Sequence, residues 1–312
     1  MTEEVSMREV YGSTLVELGK ENKDVVVLDA DLSPSTMTKY FAKEFPERFF
    51  DCGIAEQNMV GIAAGLASSG KIPFASTFAV FIPGRSFDQI RVSIAQPLLN
   101  VKLVATHGGI SVGEDGSSHQ AVEDLSLITS LPGFSVIVPA DAIETAQAVR
   151  TAASGFGPFY IRLARLKVPL VYTDDYRFEL GKAVVMRDGK DVTVIAIGIL
   201  VAAALEAAED LKKEGIDCCV LNMPTIKPID EATIIKAATD TGAIVTAEEH
   251  LEHGGLGSIV AQVVVENRPV PMEFVALKDT YAESGTPAEL LEKYGLTAKG
   301  IEQAVRKVLK KK

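Results

Sequence analysis

The chain has 312 residues, of which 47% are hydrophobic, and a formal net charge of -11. The negative charge argues against a general nucleic-acid surface, which needs clustered Lys and Arg to displace counterions from phosphates. The sequence has no uncharged apolar run of about 18 residues, and its opening, MTEEVSMREV, has neither a basic leader nor an apolar signal core. We therefore expect a cytoplasmic protein that binds neither nucleic acid nor membrane.

Short β-branched apolar runs alternate along the chain with amphipathic helical stretches, which is the pattern of βαβ units and a parallel sheet. Buried strands are predicted in four such runs: 24–31, 101–106, 134–140 and 159–164. After the third run, Asp141 and Glu144 have capping-box spacing and Gly155 follows the predicted helix. The third run therefore leads directly into a helix.

A polar stretch at 171–190 interrupts this alternation, which then resumes. The pattern predicts an α/β protein with two doubly wound domains, at 1–170 and 191–312, joined by a linker at 171–190. The first domain is expected to have a mostly parallel sheet. The length allows each domain a core of its own.

The segment DCGIAEQNMVGIAAGLASSG predicts a helix that begins near Ala55 and ends at Gly70. Glu56 shares a face of this helix with Met59 and Ala63, so its carboxylate is expected to point toward apolar surroundings. Burying a carboxyl group is unfavourable unless it has a partner. The alternative is an N-terminal glutamate that interacts with the helix dipole.

The loop VGEDGSSHQ, residues 112–120, follows the predicted strand 101–106. In doubly wound sheets, ligands bind beyond the carboxyl ends of the strands. The glycines permit positive φ and close backbone approach, while His107, Asp115 and His119 supply acids, bases and hydrogen-bonding groups. By composition alone, a mobile surface loop fits equally well.

The cysteines and the last two histidines show no strong metal-binding pattern. Cys52, Cys218 and Cys219 lack metal-ligand spacing and are predicted to be reduced, partly buried thiols. His250 and His253 lie among glutamates in AEEHLEHGGLGS, which matches no strong zinc motif. We predict no metal ligands in this chain.

The same glycine-rich segment has a structural interpretation. Its glycines, followed by Ser258 as a candidate N-cap, favour a tight entry into a helix. Contact with a partner chain is the second alternative for this segment.

Five segments, in this order, resemble the C-terminal part of the transketolases, the thiamine diphosphate enzymes that move two-carbon ketol units between sugar phosphates. They are DADLSPSTMTKYF, DCGIAEQNM, STFAVF, THGGISVGEDGSSHQAVEDL and IRLARLKVPLV. The resemblance extends over essentially the whole chain. It implies a pyrimidine-binding domain followed by the C-terminal domain of the family.

The resemblance assigns the cofactor contacts. In this family a glutamate hydrogen-bonds N1' of the aminopyrimidine and promotes the tautomer that deprotonates C2 of the thiazolium, so Glu56 is implied as general acid and base. Phe78 and Phe81 would form the aromatic pocket of the pyrimidine, although a Phe pair at this spacing also fits a plain core. Gly84 stands where a third aromatic is common in the family.

The resemblance also assigns the sugar contacts. Asp115 and His119 would contact the hydroxyls of the ketose, and His119 is the second implied catalytic residue. His107 would lie toward the distal end or phosphate of the sugar. The implied phosphate-binding positions are Arg8, Ser35 and Arg165. A guanidinium can bind phosphate oxygens in a fork, while a strand-end salt bridge is the alternative for Arg165.

The chain departs from the family pattern at a few positions. Ser117 and Ser118 replace the usual Pro-Thr before HQ, and Asn58 stands where a histidine is usual. The triplet AEQ is closer to deoxyxylulose phosphate synthase, a related enzyme that condenses pyruvate with a sugar phosphate. These departures bear on the substrate more than on the cofactor.

The GDG motif, which holds the diphosphate through Mg²⁺ in this family, is absent from the sequence. The resemblance therefore implies a split enzyme, in which a separate N-terminal subunit carries GDG and the Mg²⁺ ligands. Two copies of each subunit are expected. The alternatives are a deoxyxylulose phosphate synthase half, a 2-oxo-acid dehydrogenase β subunit, and a non-catalytic binding module of the same fold.

Overall fold

The computed structural model describes residues 3–312. The strands are, in chain order, β1 (Glu4–Ser6), β2 (Val25–Asp29), β3 (Phe49–Asp51), β4 (Ile72–Phe78), β5 (Lys102–Thr106), β6 (Ser135–Ile137), β7 (Phe159–Arg162), β8 (Lys167–Pro169), β9 (Val184–Arg187), β10 (Val192–Ala196), β11 (Cys218–Asn222), β12 (Thr225–Lys227), β13 (Ile244–Leu251) and β14 (Met272–Leu277). The helices are α1 (Met7–Glu21), α2 (Ser33–Thr36), α3 (Lys39–Glu44), α4 (Glu56–Ser68), α5 (Phe81–Gln89), α6 (Asp124–Thr129), α7 (Ala142–Ser154), α8 (Leu200–Lys213), α9 (Glu231–Thr241), α10 (Leu256–Asn267), α11 (Pro287–Lys293) and α12 (Ala298–Leu309).

The first sheet has seven strands in the order β12-β6-β7-β5-β4-β2-β3. Its six strands from the first half of the chain are parallel, and helices cover both faces. The four predicted strands all lie in this sheet. The predicted doubly wound, mostly parallel first domain is confirmed.

The second sheet has five strands in the order β14-β13-β10-β11-β9. Four are parallel, and β9 pairs antiparallel with β11 at the edge. Strand β9 lies within 171–190, so the predicted linker contributes a strand to the second sheet. A separate two-stranded pairing joins β1 to β8.

Strand β12 comes from the second half of the chain but pairs antiparallel with β6 of the first sheet. One apolar cluster accordingly contains buried residues from both halves, including Leu28 and Met59 from the first and Met223 and Ile226 from the second. The two halves therefore share a core.

Side-chain N-caps explain where α1, α7, α9, α11 and α12 begin. The Asp141 carboxylate accepts a hydrogen bond from the backbone N–H of Glu144, at 2.8 Å, as the predicted N-cap should. The Glu144 carboxylate instead accepts from the N–H of Ala140, at 2.7 Å, so only half of the predicted capping box forms. The predicted N-cap at Ser258 is wrong, because the N-cap of α10 is Gly255, three residues earlier.

No helix within residues 3–312 combines the length and the apolar character needed to cross a bilayer. The three cysteines are free, with Cys218 buried and the other two half-buried.

Candidate active site

Most of the predicted site residues gather beyond the carboxyl edge of the first sheet, where parallel α/β sheets bind ligands. Phe78 ends β4, His107 follows β5, and Arg165 follows β7. These three strands are neighbours in the sheet order β7-β5-β4. Glu56 begins α4, just after the edge strand β3.

The Glu56 side chain is buried, as predicted, and its carboxylate also has a charged partner. Met59 and Ala63 are fully buried on the same helix, whereas Glu56 Oε1 accepts a hydrogen bond from Arg85 Nη1 at 2.8 Å. The Arg85 side chain is 46% exposed. The ion pair therefore lies where the protein surface begins. The Glu56 side chain reaches it because the first turn of α4 directs that side chain toward Arg85 on α5.

Phe78 and Phe81 form an aromatic wall beside this ion pair. Their rings are nearly parallel, at an angle of 13° and a centroid distance of 5.7 Å. The guanidinium of Arg85 lies 3.9 Å from the centroid of the Phe81 ring. The planar guanidinium of Arg85 thus lies on the Phe81 ring in a cation–π contact and within hydrogen-bonding distance of Glu56. A flat, nitrogen-containing heterocycle would suit the same position.

An open cavity of ≈ 450 Å³ lies beside the Glu56–Arg85 ion pair. Its lining comes from the start of α4 and from α5: Ile54, Ala55, Glu56, Gln57, Asn58 and Arg85. Volumes of this size accommodate small organic ligands. Asn58 therefore lies at the mouth next to Glu56, while Gly84 is exposed with open space around it.

The two predicted site histidines pack on the aromatic wall. The His107 ring stacks on Phe78 at a centroid distance of 3.7 Å. The His119 ring meets Phe81 edge-on at 5.4 Å. Burial, with a smaller contribution from the positive charges of Arg8 and Arg165, lowers the pKa of His107 to about 3. His107 is therefore a neutral hydrogen-bonding group at neutral pH.

The predicted phosphate-binding residues also come together. Arg8 donates from Nη1 to the carbonyl of Ser35 at 2.6 Å and from Nη2 to the carbonyl of Arg165 at 3.0 Å. Arg165 donates to the carbonyl of Val112 at 2.9 Å. Burial and the charge of Arg165 lower the pKa of Arg8, and Arg8 Nε is buried without a hydrogen-bond partner. Two guanidinium groups held close together favour an anion between or beside them.

Asp115 is exposed at the tip of the 107–121 loop, next to Glu114, which lies 3.5 Å from Arg165. Of the three loop residues predicted to bind the sugar, His107 and His119 lie on the aromatic wall, whereas Asp115 faces water. The proposed alternative for Arg165, a strand-end salt bridge, is thus present, but with an exposed partner and at a long distance.

Sequence reasoning missed Arg85, Arg162 and Glu249. The first could have been found, because Arg85 follows Phe81 by four residues, a spacing that places both on one face of α5. The other two carry no local signal. Arg162 donates to Asp124 at 2.9 Å and to the carbonyls of Ala121 and Glu249, both at 2.9 Å.

The acidic and histidine-rich segment at the end of β13 stabilises the local fold. The Glu248 carboxylate accepts hydrogen bonds from the N–H groups of Leu256 and Gly257, at 2.7 and 2.8 Å, where α10 begins. His250 is fully buried, and burial lowers its pKa to about 4. Among residues 3–312, no three His, Cys, Asp or Glu side chains are grouped so that they could hold a metal ion.

Comparison with known families matches two regions of the chain in the order of its two sheets. Residues 3–171 match the family "Transketolase, pyrimidine binding domain", and residues 181–301 match "Transketolase, C-terminal domain". This chain belongs to the transketolase family.

Two relatives of similar length support this membership. A protein of Methanocaldococcus jannaschii, named as a transketolase C-terminal section, is 48% identical over 308 residues, which cover 98% of this chain and 96% of the relative. The 6-deoxy-6-sulfo-D-fructose transketolase subunit SqwH of Clostridium sp. is 42% identical over 310 residues, covering 99% and 96%.

A solved transketolase structure has the same fold over nearly the whole chain. It is described as "Split gene transketolase, inactive beta4 tetramer", is 56% identical, and superposes with a TM-score of 0.92. The match covers 98% of this chain and 99% of the other. The transketolase fold predicted from the sequence is therefore confirmed.

Proposed function

We propose that this chain is the C-terminal subunit of a split transketolase, which transfers two-carbon ketol units from ketose phosphates to aldose phosphates. The observation that carries this proposal is the arrangement of Glu56, Phe81 and Arg85. A flat nitrogen group lies 3.9 Å from the Phe81 ring centroid and 2.8 Å from the Glu56 carboxylate. The geometry suits the aminopyrimidine of thiamine diphosphate, which needs an aromatic face and a carboxyl at its ring nitrogen.

When bound, thiamine diphosphate would supply the carbanion chemistry that a ketol transfer requires. Glu56 would hold a proton at the pyrimidine nitrogen, and Phe78 and Phe81 would pack against the ring. Arg85 would have to leave the Phe81 face as the ring enters. Because no GDG occurs in this sequence, the Mg²⁺ and diphosphate ligands are assigned to an N-terminal partner chain.

The sugar would lie beside the histidines. His119 would contact the hydroxyl groups near the reacting carbons and assist proton transfer, with Asp115 at the outer edge of the same loop. His107, Ser35 and the Arg8–Arg165 pair would bind the distal anionic group. The relative named for 6-deoxy-6-sulfo-D-fructose acts on a sugar whose distal group is a sulfonate, an anion that a guanidinium pair also suits.

The assembly would contain two copies of each chain, because two-fold symmetry gives a closed assembly. Each site would then contain residues from two polypeptides. The test is reconstitution. The purified chain alone should show no ketol transfer, and adding an N-terminal subunit that carries GDG should restore thiamine diphosphate-dependent transfer. Full activity of this chain alone would rule out the split enzyme.

A second measurement separates the anion site from the reacting carbons. In the reconstituted enzyme, Arg165→Ala should raise KM for a ketose phosphate by about ten- to a hundredfold, the effect of one lost charged hydrogen bond. Hydroxypyruvate has no distal phosphate, so its KM should change little, whereas His119→Ala should impair both donors. Equal losses for both donors in Arg165→Ala would remove the anion-binding role of Arg165.

A further inference from the structure

The 107–121 loop, which carries both site histidines, begins with a strained backbone. His107 has φ +62°, in the left-handed region that non-glycine residues rarely adopt. Such a conformation persists only where the surroundings hold it. The loop closes on itself through the N–H of Gly109, which donates to the carbonyl of Ala121 at 2.8 Å.

The second domain provides a carboxylate that reaches into this loop. Glu249 lies on β13 and is only 4% exposed, and its Oε1 accepts a hydrogen bond from the N–H of Ser111. A Cβ on Gly109, which has φ +78°, would lie 2.1 Å from the carboxyl carbon of Glu249. Gly109 therefore leaves the space through which the carboxylate passes.

Arg162 ties the same strand to the other end of the loop. Its Nη2 donates to the carbonyls of Glu249 and Ala121, and its Nε donates to Asp124. Burial raises the pKa of Glu249 to about 7, and the positive charge of Arg162 opposes this increase. Both ends of the loop are thus attached to β13 by buried, charged groups.

We propose that Glu249 is a positioning residue for the reaction, acting from the second domain on the loop that carries His107 and His119. By accepting the Ser111 hydrogen bond, it holds the start of the loop so that the His107 ring stays on Phe78. This inference rests on the proposed function only for its effect on catalysis. The contact itself is independent of the substrate.

The neighbouring residue Glu248 is a matched control. It lies on the same strand, is 1% exposed, and burial raises its pKa to about 7 as well. Its carboxylate, however, accepts from the N–H groups at the start of α10 and not from the loop. Glu248 and Glu249 are therefore similar in burial and charge and differ in the backbone N–H groups that they bind.

The experiment compares Gln and Met at both positions. Gln keeps an oxygen that can accept from Ser111, whereas Met has a similar length without that acceptor. In the reconstituted enzyme, we expect Glu249→Met to lower kcat/KM for the ketose donor by at least about tenfold. The kcat/KM of Glu249→Gln should stay within about threefold of the native value, because a neutral hydrogen bond replaces the charged one. Glu248→Met should reduce stability but leave kcat/KM per folded site within the same threefold.

Hydrogen–deuterium exchange of the isolated full chain tests the contact without any activity. Peptides covering 107–121 should exchange faster in Glu249→Met than in the native chain, and should be unchanged in Glu248→Met. If Glu249→Met does not fold, Gly109→Ala disturbs the same contact from the loop side and should give the same pattern.

The outcomes separate the two proposals. Equal kcat/KM losses for the Met variants at 248 and 249, or a Gln variant at 249 no better than Met, would reduce Glu249 to a structural residue. Unchanged loop exchange in Glu249→Met would overturn the positioning role outright. Faster loop exchange in an assembly that shows no ketol transfer would retain the contact and reject the function.

Discussion

Glu56 is a buried carboxylate with a partner at the protein surface. It is 4% exposed, yet its one side-chain partner is the half-exposed Arg85. Arg85 can turn toward water, but its departure would leave a buried carboxylate without a partner, which is unfavourable. A ligand that displaces Arg85 must therefore itself form a hydrogen bond with Glu56.

Replacing Glu56 by Gln should leave assembly nearly intact and slow proton exchange at C2 of bound thiamine diphosphate by about 10² to 10⁴, the usual range for a general acid–base group. NMR of the reconstituted enzyme measures this exchange. Glu9 also lies in the first turn of a helix but is exposed, so Glu9→Gln is the control for helix-dipole effects. Unchanged exchange in Glu56→Gln would remove Glu56 from the mechanism.

His107 makes the stability of the chain depend on pH in acid. Its pKa is about 3 in the folded chain because of burial and the nearby arginines, but about 6.5 when unfolded. Between these values the unfolded state binds more protons, so the free energy of unfolding falls as the pH falls from 6.5 toward 3.

In His107→Gln this contribution should disappear. Between pH 7.5 and 5, the native chain should lose about 2 kcal/mol more stability than the variant. Urea denaturation at the two pH values measures the difference. Burial also raises the pKa values of Glu144, Glu248 and Glu249, but both proteins contain these groups, so their contributions to the pH dependence cancel. An identical pH dependence in the two proteins would show that the pKa of His107 is the same in the folded and unfolded chains.

At the scale of elements, β12 is joined to the first half of the chain by a lysine as well as by strand pairing. Lys227 Nζ donates to the carbonyls of Thr129 and Leu131, at 2.7 and 2.6 Å, where α6 ends. A cation at a helix C-terminus interacts favourably with the unpaired carbonyls. Lys227 thus links β12 to both α6 and the segment that follows it.

Lys227→Met should lower the free energy of unfolding by about 1 to 2 kcal/mol, because hydrogen bonds from a charged donor are lost and two carbonyls are left without it. Lys236 pairs only with Asp240 on the exposed face of α9, so Lys236→Met should change stability by less than about 0.5 kcal/mol. Chemical denaturation compares the two. Equal effects would mean that the Lys227 contacts contribute no more than a surface pair.

At the scale of the whole molecule, the two halves are structurally dependent on each other. Strand β12 completes the first sheet, and the largest apolar cluster includes Met223 and Ile226 beside residues of the first half. Removing the second half would expose the edge of β6 and this apolar surface to water. Unpaired edges of that kind promote aggregation.

We therefore expect a fragment of residues 1–180 to be insoluble or aggregated when expressed alone. Co-expression with a fragment of residues 181–312 should recover a soluble complex, because the second fragment restores β12. Circular dichroism and gel filtration distinguish the outcomes. A monomeric, natively folded 1–180 fragment would show that the first predicted domain is independent of the second.

The sequence was sufficient for the features that depend on nearby residues. Strand runs such as 101–106 are mostly apolar and contain β-branched residues, and the cap at Asp141 needs only the N–H three residues later. The family motifs singled out Glu56, Phe81 and His119, each in a short segment of fixed spacing, and the structure brings the three side chains to one place.

The contacts that complete the site join residues far apart in the chain, and only the tertiary structure decided them. Arg85 reaches Glu56 across 29 residues, and Glu249 reaches Ser111 across 138. Strand β12 leaves the second half to pair with β6. Periodicity and caps report only what lies within a few residues, whereas these partners are chosen by how the two sheets pack, because burial places each carboxylate beside whichever donor the other element presents.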